Sequence, residues 1–273
     1  STPTILRKTE DEMILVEHLP FDADSGIASR AKIGLIVLAT DFTIEHEWRQ
    51  IMTGLEGVAL YESRIFNDTQ ITPETLRAME PRIASTADLI LPGSELDVVA
   101  YGCTSASMAI GEEKVFANIR SVRPGVQCTT PITAAFAAFR AFAANRIGVL
   151  TPYRADVNRI VADYIRARGF DVPVFGSFNE ENDGIVARIS PASIENGIDR
   201  LRQLADVDAV FVSCTSVRLA EAAAEIESKI GIPVTSSNHA MAWHALRLAG
   251  IEDRLPQFGR LFALDADSRH PRS

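Results

Sequence analysis

Two stretches far apart in the chain share one grammar. Val98-Val99-Ala100-Tyr101-Gly102 and Ala209-Val210-Phe211-Val212-Ser213 are short apolar runs, and each is followed directly by Cys-Thr-Ser. Runs of this kind read as buried strands, and the amphipathic segment behind each reads as a helix. A cysteine there stands where a strand ends and a helix begins. That is the carboxyl edge of a parallel sheet, where open α/β folds bind their ligands. Backbone N–H groups at a helix start are unpaired and partly positive, which favours thiolates and carboxylates alike. The pair therefore predicts one cleft with a thiol on each wall.

The landmarks around the two cysteines repeat in the same order. Ile33–Leu38 and Arg146–Leu150 read as the buried strands that open each half, with Val58–Tyr61 and Val172–Phe175 as second strands. Thr72-Pro73 and Ser190-Pro191 are helix starts, a capping hydroxyl before a proline. Helices are expected from Cys103 through Ile119 and from Leu219 to Ile230. Strand ends at Gly125–Thr130 and Gly231–Ser237 lead into helices at Pro131–Ala144 and Ala240–Leu248. Cys103 follows Ile33 by 70 residues and Cys214 follows Ile147 by 67. This matching predicts an internal duplication: an α/β chain of two doubly wound (Rossmann-like) lobes, their parallel sheets related by a pseudo-twofold axis, with the active site in the cleft between them. The expected division is an N-terminal arm over 1–30 packed on the body, a first lobe over 31–145 and a second over 146–235. A C-terminal segment, about 236–273, is expected to pack back on the first lobe.

At 273 residues, 47% hydrophobic and 23% charged, the chain is long enough for two such lobes. A net charge of -9 argues against nucleic acid and against an anionic membrane surface as partners. No apolar run approaches the length that spans a bilayer. The three cysteines, 103, 128 and 214, are odd in number and lack C-x-x-C spacing. That argues against a disulfide framework or a structural zinc site and points to a reducing cytoplasm. Neither Leu38-Ala39-Thr40-Asp41 nor Leu150-Thr151-Pro152-Tyr153 supplies the glycine-rich turn that a dinucleotide needs, and P-loop and G-x-S-x-G motifs are missing too. Ala109 and Ala220 stand where a cysteine phosphatase needs arginine, and Lys8, Lys32, Lys114 and Lys229 all lie in charged contexts. The expectation is a site without cofactor or metal.

Cys103 and Cys214 are the candidate catalytic residues. A helix start is expected to lower a thiol from its ordinary pKa of about 8.5. Two thiols facing a bound carbon acid suit two-base proton transfer, one removing a proton from one face while the other returns it on the opposite face. A thiolate adding to a double bond is the other possibility. Tyr153, between a strand end and a helix, either points its hydroxyl into the cleft or caps the helix. Cys128, His239 and His244 read as structural residues.

The ordered set of the Cys-Thr-Ser pair, Leu150-Thr151-Pro152-Tyr153, Val234-Thr235-Ser236-Ser237 with Trp243, and Gly259-Arg260-Leu261-Phe262 resembles the aspartate/glutamate racemase superfamily. The nearest branch is that of maleate cis-trans isomerases and arylmalonate decarboxylases. Within it, Gly34–Asp41 and Tyr101–Ser107 are most similar to the ectoine-utilisation (EutA) members. The resemblance spans about residues 31–263. It implies a cofactor-independent, homodimeric enzyme in which Cys103 and Cys214 act on a small carboxylate held by Thr104, Ser105, Tyr153 and Thr215. Arylmalonate decarboxylases have glycine where this chain has Cys103, so keeping both cysteines sides with racemases and isomerases. Gly-Cys-Thr-Ser and Ser-Cys-Thr-Ser depart from the motifs of aspartate and glutamate racemases. Asp41 stands where maleate isomerases carry asparagine; an anion there repels a second substrate carboxylate and favours a substrate with a cation or hydroxyl. Asn182 is matched to another maleate-binding asparagine. The implied function is an isomerase, racemase or epimerase of the maleate isomerase type, acting in ectoine or hydroxyectoine degradation. Two alternatives stay open: a decarboxylase working through one thiol, and a small-carboxylate-binding protein without catalysis.

Overall fold

The computed structural model describes residues 5–6 and 14–266. A two-stranded antiparallel pair, β1 (Ile5–Leu6) and β2 (Leu15–Val16), comes first. The first half follows as β3 (Ala31–Leu38), α1 (Ile44–Met52), β4 (Val58–Ile65), α2 (Pro73–Arg77), α3 (Ile83–Asp88) and β5 (Val98–Gly102). It continues through α4 (Thr104–Ile110), α5 (Glu112–Val122), β6 (Gln127–Thr129) and α6 (Pro131–Ala141). The second half runs β7 (Arg146–Thr151), α7 (Ala155–Ala167), β8 (Asp171–Ser177), α8 (Asp183–Val186), α9 (Pro191–Leu204) and β9 (Ala209–Val212). It closes with α10 (Ala223–Ile230), β10 (Val234–Ser236) and α11 (Ser237–Leu248).

Strands β3 to β10 form two four-stranded parallel sheets, in the orders β4-β3-β5-β6 and β8-β7-β9-β10. Each half therefore places its strands second, first, third, fourth. This is the duplication that the repeated landmarks predict, and the α/β class holds. In both sheets the order reverses between the first and third strands, the place where an open α/β sheet leaves a crevice at its carboxyl edge.

Central strands bury both faces, which is why they read as unbroken apolar runs. Ile33, Leu35 and Val37 share a core with Trp48 of α1 and Trp243 of α11; Ile36, Val99 and Tyr101 share another with Ile83 of α3 and Ile119 of α5. Helix α6 serves both halves. Its small Ala134 and Ala138 meet the first sheet's core, while Phe136 and Phe139 enter the second, where Phe139 packs edge-on against Phe211 of β9 at 5.7 Å. From the C-terminal segment, Leu246, Leu261 and Phe262 sit in the same core as Ile33 and Leu35. His239 is a structural group there: its Nε2 donates to the Phe258 carbonyl at 2.6 Å, leaving Nδ1 to accept from Thr235 Oγ1 at 2.8 Å.

The structure corrects several local expectations. Residues 14–27 are exposed throughout rather than packed on the body; the rest of the arm before residue 14, Ile5–Leu6 apart, lies outside the described residues. The helix behind Cys103 is broken by Gly111, whose φ of 96° lies in the left-handed region, into α4 and α5. Strand β4 runs to Ile65, past the expected end at Tyr61. Most consequentially, no helix starts at Cys214: residues 215–222 form turns, and α10 begins only at Ala223. Among the described residues, no helix is long and apolar enough to cross a membrane.

Gly102, the last residue of β5, shows how tightly the sheet holds its cysteine. A Cβ there would lie 2.5 Å from the Ile36 carbonyl oxygen and 3.2 Å from Ile44 Cδ1. Backbone of a central strand cannot yield to that contact as a flexible side chain does. Gly102→Ala is expected to cost about 1–3 kcal/mol and to displace Cys103. A thermal melt together with an activity assay checks this; an unchanged melting temperature would mean that β5 shifts freely.

Candidate active site

The carboxyl ends of the first and third strands of each half meet around one cavity, which Leu38 of β3 lines and which the loop behind it supports from outside. Thr40 and Asp41 follow β3, Cys103 to Ser105 follow β5, Tyr153 follows β7, and Cys214 to Ser216 follow β9. Both cysteines line this cavity together with Thr104, Ser105, Tyr153 and Thr215. The two thiols thus reach one pocket from equivalent edges of two sheets.

Cys103 is the capping residue of α4, extended at φ −138° and ψ 114°, and its Sγ lies 4.0 Å from Ser105 Oγ. Cys214 accepts the Ser216 N–H at 3.4 Å. The Tyr153 hydroxyl favours the Cys214 thiolate through a hydrogen bond, and either cysteine as an anion would raise Tyr153, which lines the same cavity. Thr104 donates to Ser237 Oγ at 2.7 Å, and Thr215 donates to Asp41 Oδ2 at 2.7 Å.

The expected lowering of the thiols is overturned. Burial pushes both Cys103 and Cys214 up to about 12. They are only 3% and 6% exposed, so desolvation of the anion outweighs the local donors: the Ala106 N–H and Ser105 for Cys103, the Ser216 N–H and Tyr153 for Cys214. The carboxylates of Asp183 and Asp41 push both further up. Cys214 also lacks the helix start that was to help it. A testable consequence follows for the protein without substrate. An ordinary thiol of pKa about 8.5 is roughly a quarter ionised at pH 8, whereas one near 12 is ionised to about one part in ten thousand. Iodoacetamide at pH 8 should therefore label Cys103 and Cys214 at least about a thousandfold more slowly than the unfolded chain, read by peptide mass spectrometry. Labelling at the unfolded rate would refute the buried, neutral pair.

Asp41 and Asn182 sit elsewhere than the resemblance implied. Asp41 does not line the cavity. Its Oδ1 accepts the N–H groups of Thr43 and Ile44 at 2.7 and 2.8 Å, and its Oδ2 takes the Thr215 hydroxyl. It is a buried bracket that ties the start of α1 to the second half. Asn182 is exposed and caps α8, its Oδ1 accepting the Ile185 N–H at 3.1 Å. It borders a separate groove beside Phe42 and Arg218.

The neighbouring Asp183 takes the place in the cavity that sequence reasoning gave to Asn182. Its Oδ2 accepts Thr40 Oγ1 at 2.8 Å and its Oδ1 accepts Ser216 Oγ at 3.5 Å; burial raises its pKa. Asn67, behind β4, was also missed. Its Oδ1 accepts the Thr40 N–H at 3.2 Å while its Nδ2 donates to Thr40 Oγ1 at 2.8 Å, and it lines the same cavity. No motif marks either residue; each is found only once the second strand of its half is known to end at this edge.

Fold and site together define a class: two matching parallel α/β halves that carry paired cysteines into a shared cavity. The chain belongs to the arylmalonate decarboxylase family, whose model matches residues 33–262. A maleate isomerase from Pseudomonas putida is 27% identical over 244 residues, 85% of this chain and 97% of its own length. An arylmalonate decarboxylase from Bordetella bronchiseptica is 32% identical over 140 residues, half of this chain and 58% of that protein. Among solved structures, the maleate isomerase Iso from Pseudomonas putida S16 superposes with a TM-score of 0.78 at 26% identity, covering 85% of this chain and 98% of that one.

Proposed function

We propose that this protein is a cofactor-independent isomerase, of the racemase, epimerase or cis-trans isomerase kind, acting next to the carboxylate of a small molecule. The observation that carries the reading is that Cys103 and Cys214 line one cavity from equivalent strand ends, with Tyr153 on its wall as well. The Ser105 hydroxyl and the backbone N–H groups of Thr104, Ser105 and Thr215 serve the substrate carboxylate and the enediolate-like charge that grows when the adjacent C–H bond breaks, while the Thr104 and Thr215 hydroxyls stay committed to Ser237 and Asp41. The working state holds one thiolate and one thiol. The thiolate takes the proton from one face of the carbon, and the thiol returns a proton to the other. For an alkene substrate, the thiolate adds to the double bond, rotation follows about the resulting single bond, and the thiolate leaves again.

Within this reading the chain groups with ectoine-utilisation proteins of the EutA type, on the strength of Gly34–Asp41 and Tyr101–Ser107. The substrate is then an ectoine-derived compound, and the reaction epimerisation of a hydroxyectoine-type centre by a cytoplasmic homodimer. A decarboxylase is the second reading, favoured by the family model that matches most of the chain. Proton NMR in D2O with hydroxyectoine stereoisomers, maleate and an arylmalonate separates them. Deuterium entry beside the carboxylate, or conversion of maleate to its trans isomer, without loss of CO2 supports the isomerase; loss of CO2 from the malonate supports the decarboxylase, and binding without any of these changes would leave a binding protein.

A further inference from the structure

The cavity has a charge pattern that a dicarboxylate does not fit. Asp183 and Asp68 are among its lining residues, and among the described residues no lysine, arginine or histidine lines it. Asp41 stands one hydrogen bond behind the lining residue Thr215. The adjoining cavity shares Tyr153, Asp183 and Cys214 and has Arg154 on its wall, but that guanidinium is already paired with Asp156 at 3.2 Å and Glu181 at 3.4 Å. A substrate with two carboxylates would place its second charge among carboxylates, with no unpaired cation among the described lining residues to receive it, a costly arrangement in a buried site.

Asp183 also has acceptor capacity to spare. A carboxylate offers about four lone-pair positions. Here Oδ2 takes one hydroxyl at 2.8 Å, and Oδ1 takes only the long 3.5 Å contact from Ser216. Asp41, by contrast, has three short bonds from the protein at 2.7, 2.8 and 2.7 Å. Of the two, Asp183 is the one left able to accept an N–H from a ligand.

We propose that the substrate of this cavity is a zwitterion, a carboxylate that also carries an ammonium or amidinium nitrogen, and that Asp183 holds the cation. The inference rests on the reading of this cavity as the site of carboxylate chemistry. It names the substrate class and the residue that selects it. The contact also serves the chemistry. The negative charge of Asp183 is one of the forces that keep both cysteines protonated. A cation against Asp183 offsets that charge, so a thiol can release its proton to water as substrate arrives. Recognition and ionisation then become one event.

The test is equilibrium binding by calorimetry at pH 7.5, with the full chain and its Asp183→Asn and Asp183→Glu variants. The probes are ectoine and both prolines as zwitterions, and maleate and both malates as dianions. The expected result is that the wild type binds at least one zwitterion at least tenfold more tightly than any dianion. Asp183→Asn should lose tenfold or more on that zwitterion and gain on the dianions, and Asp183→Glu should keep the order. In the same variants without ligand, Asp183→Asn should speed iodoacetamide labelling of Cys103 and Cys214 severalfold. Tighter binding of a dianion by the wild type, an order that Asp183→Asn leaves unchanged, or no zwitterion bound in the millimolar range would each overturn the proposal. The two readings fail separately. Deuterium entry into a dianion keeps the isomerase and removes the cation. Asp183-dependent binding of a zwitterion that never exchanges keeps the cation and removes the isomerase.

Discussion

Cys103→Ala and Cys214→Ala are each expected to slow deuterium incorporation by about a hundred- to ten-thousandfold, the usual contribution of a positioned acid or base. Substrate affinity should move far less, because in the proposed mode the carboxylate is held by the Ser105 hydroxyl and backbone N–H groups rather than by sulfur. The symmetry of the halves makes the loss mutual: a proton taken by one thiol must be replaced from the other wall, and neither wall can do both. The melting temperature controls for packing. Both thiols are nearly buried, yet each replacement removes one sulfur at a strand end beside a cavity, where little packing is lost. A decarboxylase working through a single thiol gives a different result: Cys103→Ala would keep its rate while Cys214→Ala lost it. Equal and full retention in both variants would end the two-cysteine mechanism.

What the chain disclosed in advance was what apolar periodicity and short motifs encode. Central strands β3, β5, β7 and β9 are buried on both faces, so their sequences announce them, and the Cys-Thr-Ser pair marks their third-strand ends. Edge strand β4 is harder to see. Its second half, Glu62-Ser63-Arg64, is polar because an edge strand meets side chains from outside the sheet, where Glu62 pairs with Arg49 and Arg64 with Glu45. With its end misplaced, Asn67 could not be set at the cavity. Long-range bonds explain the other misses. Val217-Arg218-Leu219-Ala220-Glu221 has a helix former's composition, but its backbone is claimed by the first half. The Thr43 hydroxyl donates to the Ser216 carbonyl, and the Leu219 and Ala220 N–H groups go to Glu47. Propensity is a weak prior against such contacts. The thiol pKa failed for a related reason: burial is a property of the assembled fold, and desolvation outweighed local donors that the motif does encode.

Glu47 is the strongest of these ties and yields the largest stability effect expected in the molecule. It lies in α1 of the first half, only 1% exposed, and burial raises its pKa. Its Oε2 accepts the N–H groups of Leu219 and Ala220 at 3.0 and 2.6 Å, and its Oε1 accepts Asn238 Nδ2 at 2.9 Å. One carboxylate thereby joins α1, the turn behind Cys214 and the first residues of α11. Asn238 in turn donates to the Thr215 carbonyl at 2.7 Å, so the same tie steadies the loop that presents the second thiol. Glu47→Ala strands two buried backbone donors and an amide at once. A buried donor left without its partner costs about 1–3 kcal/mol, so losing the acceptor of two backbone N–H groups and an amide together should cost about 3–5 kcal/mol. Glu47→Gln keeps an oxygen for Leu219 and Ala220 and loses only the Asn238 contact, so it should cost about 1–3 kcal/mol. Activity should fall in the same order, because residues 215–222 carry Thr215 and Ser216 into the cavity. Urea unfolding of the three proteins, with deuterium exchange measured in parallel, decides the matter. If Glu47→Ala unfolds within about 1 kcal/mol of the wild type, the halves are held together by apolar packing through α6, and the carboxylate is dispensable.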